Sequence, residues 1–484
     1  MKTKISTLGL NGSRKTRFLA LAIIFVLAGA TGLAVKNFAN NTQAASIMVS
    51  NFADLQTALT MTGTNTITLA NDITFTDATN NPITTNPNIL LASNSNITIN
   101  GNGFSLIRET GAAGQMLQVP ATTTLNLENV TVNGNNIAAT QTCLRDEGGV
   151  LNLDKNTVVE NCVNSGNLGG GIILNAGSTG TINGSTIQGN MAAGGGGIYI
   201  VGGASLAVEN GAIFQNNTDD INGGGAIYSD GVLSVTDTTF TNNAYTDAGS
   251  VGTGSGGAIN ASSPTAQLYV SQSTFINNQS AGHGGAINLD AGMSADVTVE
   301  NSTFVNNTSA GNGAAVEAGR GYSGALTIKN DKFTDNAATK NGGAVNVDDS
   351  TDTKSLNVIG STFLDNHSDI NGGAINFSPQ ADLVALTVDA TSTFSANTAS
   401  TSSRISPADQ SLYDTNILAT QWSLPIPFNG YNNYDISYTS DLPTTICQYN
   451  PNLWADDTSC VAPTEPTEPE TPPTILPPNT SFAK

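Results

Sequence analysis

The chain has 484 residues, 37 Asp and Glu against 16 Lys and Arg, and a formal net charge of -21. Only 11% of residues are charged and 6% are aromatic, while Gly is high at 51 residues. Such acidity leaves no electrostatic footprint for nucleic acid and repels anionic membranes, and the Gly content excludes a coiled coil. The hydrophobic share of 38% is enough to bury a core.

The charge is uneven. Residues 1–45 hold six bases and no acid, leaving 37 acids against 10 bases, a net of -27, for the remainder. A basic stretch, then an apolar run from Phe18 to Ala34, then small residues around Ala44 and Ala45, predict a secretory signal peptide over 1–45. A membrane anchor is the alternative, because the run of 17 residues sits at the short edge of a span. Either way the chain is expected to be exported, as a secreted or cell-surface protein.

Next comes Asn51–Leu59. Ser50 or Asn51 can cap it, and Phe52, Leu55 and Leu59 fall on one helical face. A short helix is expected here, capping the first coil of a repeat array.

Self-similarity dominates residues 46–400. A Gly-Gly-Ala-Ile phrase or close variant recurs, with its apolar member at Ile172, Ile198, Ile227, Ile259, Ile287, Val316, Val345 and Ile375. That is 203 residues over seven intervals, a mean of 29. An apolar-x-apolar pair comes after it, such as Leu233/Val235 or Leu356/Val358. Then comes Phe-x-x-Asn, with Phe at 214, 240, 275, 304, 333, 363 and 394. Each part alternates at period two, which predicts a strand, and the joints are Gly, Asn, Asp, Ser and Thr. Three short strands per repeat bury nothing alone but form a core when coil stacks on coil. The expected fold is all-β: a right-handed parallel β-helix solenoid with three strands per coil.

In that stack Ile227, Phe240, Ile259, Phe275, Ile287, Phe304, Val345, Phe363, Ile375 and Phe394 form the repeat core. Asn243, Asn278, Asn307, Asn336, Asn366 and Asn397 sit at turns. There they can take a left-handed conformation or bond the neighbouring coil. The residues after each Ile or Val, including Tyr199, Tyr228, Asn260, Asn288, Glu317, Asn346 and Asn376, are expected to face solvent.

Beyond Asn397 the phrase stops. Residues 401–460 hold both Trp and read as a C-terminal cap or small module; 461–484 form a Pro/Thr/Glu-rich linker. Four cysteines fall in two local pairs, Cys143/Cys162 and Cys447/Cys460, which suggests two disulfides in an exported protein.

The interleaving of Gly-Gly-Ala-Ile with Phe-x-x-Asn, as in Gly224–Ile227 with Phe240 and Asn243, resembles the repeat of chlamydial polymorphic outer membrane proteins. So do Gly284–Ile287 with Phe304 and Asn307, and Gly372–Ile375 with Phe394 and Asn397. The resemblance covers roughly residues 165–400. It implies a β-helix of the pectin-lyase-like superfamily acting as a surface adhesin. The chain departs from that family at its end, where Pro477-Pro478-Asn479-Thr480-Ser481 resembles a degenerate sortase signal instead of a membrane barrel.

The same fold hosts polysaccharide lyases and hydrolases, so fold alone does not exclude their chemistry. Gly282-His283-Gly284 and Asn217-Thr218-Asp219-Asp220 resemble polygalacturonase motifs, but both also fit the repeat itself. Glycoside hydrolysis further needs a pair of carboxylates across the bond. Asp348, Asp349 and Asp352 with Lys354 form the densest acidic loop, read as solvated, with Ca²⁺ binding as the sharper alternative. His367 is expected at an exposed turn. The expectation is therefore no catalytic residue and no cofactor. The partner would be a host or neighbouring-cell surface protein or glycan, with Tyr199, Tyr228 and Tyr269 as candidate contacts.

Overall fold

In the computed structural model, residues 45–75 and 89–399 are described, apart from breaks at 113, 155, 248–254, 291, 320, 349–354, 379–384 and 390. Residues 435–438 and 445–446 are also described. They form a parallel β-solenoid with four sheets of 14, 12, 10 and 12 strands. One coil shows the plan. Ala325–Lys329 lies in the Leu-Val sheet and Lys332–Thr334 in the Phe sheet. Ala337–Ala338 forms a two-residue turn strand and Val345–Val347 enters the Ile sheet. Ser355–Ile359 then starts the next coil beside Ala325–Lys329. The three predicted strands per coil are present. The two-residue strand just past the Asn builds the 10-stranded sheet, and it is too short to leave a periodic signal.

The core arises from the alternation. In Ala325–Lys329, Leu326 and Ile328 point in and are fully buried. Because identical positions stack, seven Phe rings from Phe214 to Phe394 form one column. Its centroids are 4.7–4.9 Å apart, and successive planes lie within 16° of parallel. The strand separation of about 4.8 Å sets that distance. Ile227, Ile259, Ile287, Val345 and Ile375 line the opposite wall, each fully buried.

At the N-terminal end a strand, Ala45–Val49, pairs with Gly63–Leu69. Between them lies the helix α1, Phe52–Leu59. Asn51 is its N-cap, accepting from the Asp54 amide at 3.0 Å. Leu55, Ala58 and Leu59 are buried, and the Phe52 ring lies 5.1 Å from Phe75. The helix thus covers the first Phe-sheet strand, Ile73–Phe75, on a side that has no preceding coil. Within 401–460, Ile436–Tyr438 extends the Ile sheet and Thr445–Ile446 extends the Leu-Val sheet. Residues 1–44 of the predicted leader, Cys447, Cys460 and the linker lie outside the described residues.

Two conformational details correct the sequence reading. The left-handed residue of each Phe-x-x-Asn is the one before the Asn: Asn242, Asn277, Asn306, Asp335 and Asp365 all have φ of 54–55°. The bend is completed there, which leaves the next Asn free to aim inward. Second, Asn260, Asn288, Glu317, Asn346 and Asn376 are buried, not exposed. They alternate with core residues and so point away from the core, yet the Gly-Gly loop folds back over them. A Cβ on Gly284 would stand 2.8 Å from Asn288 Cβ, and one on Gly313 would stand 2.7 Å from Glu317 Oε2. Only glycine lets the loop lie that close.

Candidate interaction surface

Three ladders of polar side chains run along the axis, and they decide which residues are available for chemistry. The first holds the predicted turn asparagines. Asn307 Oδ1 accepts from both the backbone amide and Nδ2 of Asn278, each at 3.0 Å. Asn307 Nδ2 donates at 3.0 Å to the Phe275 carbonyl and to Asn336 Oδ1. Each amide therefore uses both acceptor sites and both donors. The same pattern passes through Asn190, Asn217, Asn243, Asn278, Asn336, Asn366 and Asn397. It ends where Asn397 Nδ2 donates to Asp435 Oδ1 at 2.8 Å, a carboxylate that needs only to accept.

The second ladder stands two residues before each Phe and was missed in the sequence. Ser273 donates its amide to Ser302 Oγ at 3.1 Å, and the Ser302 amide donates to Asp331 Oδ1 at 2.7 Å. The Asp331 amide in turn donates to Ser361 Oγ at 3.1 Å. The signal was the repeated Ser-Thr-Phe at 273, 302, 361 and 392.

The third ladder lies in the loops that precede each Gly-Gly. Asn371 Nδ2 donates to Asn341 Oδ1 at 3.0 Å, and the Asn341 amide donates to Asn312 Oδ1 at 3.2 Å. The Asn312 amide donates to His283 Nδ1 at 3.1 Å, and His283 donates its own amide to Ser255 Oγ at 3.3 Å. His283 occupies an asparagine position of this ladder and accepts as asparagine does. Burial holds its pKa below the usual imidazole value.

Two residues of the other hydrolase-like motif, Asn217 and Asp219, also serve the fold. Asn217 is a fully buried member of the first ladder. Asp219 is fully buried, and its Oδ1 accepts from the amides of Ile221 and Gly223 at 2.9 and 2.8 Å, closing the turn. Desolvation raises its pKa to about 7. Asp146 behaves alike, raised to about 7 by burial although Gly149 donates to it. Burial also pushes Glu317 well above the carboxylate range. Its Oε1 accepts from Asn346 Nδ2 at 3.1 Å.

Cys143 and Cys162 form a disulfide that ties adjacent coils, with Cα atoms 6.0 Å apart. His367 is exposed, with Nδ1 at 2.8 Å from Thr398 Oγ1 and Nε2 at 2.9 Å from Asp369 Oδ1. Asp348 is described, whereas Asp349, Asp352 and Lys354 lie outside the described residues. Among the described residues, no three His, Cys, Asp or Glu side chains group to hold a metal ion.

What remains for a partner is the outer surface. Tyr199 and Tyr228, on adjacent strands of the Ile sheet, are stacked with centroids 5.3 Å apart and are half-buried. Tyr199 donates its hydroxyl to Asp230 Oδ2 at 2.8 Å. On the Leu-Val sheet Tyr269 donates to Glu300 Oε1 at 2.6 Å, and Glu300 also pairs with Lys329 at 3.3 Å.

Residues 170–363 match the family described as right handed beta helix region, and residues 46–168 match the pectate lyase-like adhesive domain. The fold is a right-handed parallel β-solenoid, in keeping with the first of these descriptions. No curated protein and no solved structure matches the chain. The two family segments of this β-helix meet near residue 169, just past the disulfide. The Asn, Phe and Ser columns run mainly through the second segment. One fold can host unrelated functions, so function has to be read from individual side chains.

Proposed function

We propose that the chain is an exported, cell-surface, adhesin-like scaffold without catalytic activity. The observation that carries this reading is the structural employment of Asn217, Asp219 and His283, three residues of the enzyme-like motifs. Asn217 and His283 are ladder members, and Asp219 closes a turn. A general acid or base has to reach a substrate proton; Asp219 is fully buried, and Asp219 Oδ1 and His283 Nδ1 accept from backbone amides inside the solenoid. The match of residues 46–168 to an adhesive domain supports the same reading, as does the resemblance of the repeats to those of surface adhesins. The leader-like start and the sorting-like Pro478-Asn479-Thr480 support export and surface attachment. The partner is a protein or glycan of a host or neighbouring cell. It is held by many weak contacts along the rod and multiplied by several copies per cell.

The test is binding of the purified chain to cells and to immobilised matrix, beside a panel of acidic and neutral polysaccharides incubated with and without Ca²⁺. Saturable surface binding with no turnover is expected. Turnover of any polysaccharide at enzymatic rates overturns the non-catalytic reading.

A further inference from the structure

Charge is distributed unevenly along the sequence of this solenoid. Between residues 156 and 319 the chain has eleven Asp and Glu, of which Asp219 and Glu317 are buried, and no Lys or Arg. Toward the end of the stretch Glu300 pairs with Lys329 at 3.3 Å. The field of the stretch attracts cations and accelerates their encounter.

Within the stretch lies the stacked pair Tyr199–Tyr228 with Asp230 at its edge. The two rings sit one above the other on the outer side of the Ile sheet and remain partly open to solvent. Asp230 is held in place by the Tyr199 hydroxyl at 2.8 Å, so its carboxylate is ordered before any ligand arrives. Tyr228 lies in the field of both Asp230 and Asp290. The contrast with the third candidate tyrosine is informative. Glu300, the acceptor of Tyr269, has Lys329 beside it. Among the described residues no Lys or Arg pairs with Asp230.

A tyrosine face attracts a cation through its quadrupole, worth roughly 0.5–2 kcal/mol depending on burial. A carboxylate within reach adds a charge-assisted hydrogen bond, bidentate for a guanidinium. Aromatic face plus ordered carboxylate is the arrangement that receives an Arg or Lys side chain. A neutral sugar would use the rings but would have no need of the uncompensated charge.

We propose that Tyr199, Tyr228 and Asp230 form a docking point for an arginine or lysine side chain presented by a basic partner protein. The surrounding anionic coils steer that partner. The proposal rests on reading the chain as a binding scaffold, and it specifies the partner's chemistry.

The test is fluorescence anisotropy of a labelled oligo-arginine peptide with the full chain, at low and physiological salt. Asp230→Asn and Tyr228→Leu should each weaken binding about five- to tenfold. Tyr228→Phe, which keeps the ring, should stay within about twofold. Glu209→Gln, which removes the same charge from the end of a Leu-Val strand, should also stay within about twofold. Thermal unfolding midpoints check that each variant is folded, and the Phe variant keeps the test decisive if the Leu variant is not. Equal losses for Asp230→Asn and Glu209→Gln overturn the proposal, because binding is then diffuse. So does competition by a neutral oligosaccharide that depends on Tyr228. A peptide that fails to bind while the chain still adheres to cells ends this proposal and leaves the scaffold reading intact. A chain that binds the peptide at Tyr228 but no cell surface does the reverse.

Discussion

Asn307 and Asn336, 29 residues apart in sequence, are joined by two hydrogen bonds of 3.0 Å that Asn336 Oδ1 accepts from the Asn307 amide and Nδ2. This pairing repeats from coil to coil and makes one carboxamide per turn indispensable. Asn307→Ala strips partners from the Asn278 amide, from Asn278 Nδ2 and from the Phe275 carbonyl, all buried. At roughly 1–3 kcal/mol for each stranded group, a loss of about 3 kcal/mol or more is expected. Asn357→Ala, half-buried on the outer face, should change stability by about 0.5 kcal/mol or less. Denaturant midpoints of the two variants measure the contrast.

The Phe column sets a second expectation. Phe304 is fully buried between Phe275 and Phe333, 4.7 and 4.8 Å away. Phe304→Ala should cost about 3–5 kcal/mol, because close neighbours in a stacked core cannot collapse into the space. Phe304→Leu should cost less than half of that. Equal costs for the two substitutions, read from urea unfolding curves, would contradict the packing account.

Glycine at the loop that folds over the Ile sheet is required by contact as well as by backbone angle. Gly284 has φ +60°, and a Cβ there would meet the Ile287 carbonyl at 2.5 Å; Gly211 has φ +78° and nothing within 4 Å. Gly211→Ala should therefore cost only the left-handed strain, about 1–2 kcal/mol. Gly284→Ala should cost about twice that or more, because backbone has to move. Thermal melts of the two single variants decide between contact and angle as the cause.

Stability should fall as pH rises from about 4 to about 7. Asp146 and Asp219 titrate near 7 in the folded chain, both through desolvation by burial. Unfolded, they titrate near the ordinary aspartate value of about 3.9. Between those values the folded chain holds the extra protons, so raising the pH favours unfolding, and the effect levels off above about 7. Glu317, pushed up by burial, acts in the same direction. His283 acts oppositely: its lowered pKa means that acid below about 6.5 protonates the unfolded chain first. Asp331, also pushed up by burial, joins the three carboxyls. Asp389, where burial is outweighed by hydrogen bonds from Ser392 and Thr391 that lower its pKa, sides with His283. The raised carboxyls outnumber the opposing pair, so melting should be higher at mildly acidic pH than at neutral pH. Asp219→Asn keeps the acceptor for Ile221 and Gly223 and should flatten the slope. A midpoint that rises steadily toward neutral pH would contradict this account.

The fold was legible because repetition multiplies a weak local signal. A single Phe-x-x-Asn says little; seven in register fix a column. The partners of that column were less visible. Ser273, Ser302 and Ser361 are common turn residues, and only their constant distance from Phe marks them as a ladder. The two-residue strands after each Asn are below the length at which alternation exists. Glu317 and its Asn neighbours were expected in solvent because alternation reports side of the sheet, not what covers that side. The cover is a glycine loop, contributed ahead of the same strand. As for the surface, Tyr199 and Tyr228 stood out in sequence, but their stacking and the bond to Asp230 depend on two coils meeting.

If the enzyme-like residues serve the solenoid and the chain works by binding, removing their acid–base chemistry should cost nothing. The direct comparison is between the purified chain and the double variant Asp219→Asn, His283→Asn. Both replacements keep the acceptors that the loops use, and asparagine already fills the His283 position in later coils. The measurement is cell-surface binding and polysaccharide turnover of the two proteins side by side. Equal binding and no turnover by either are predicted. Turnover by the native chain that disappears in the double variant would contradict the scaffold reading.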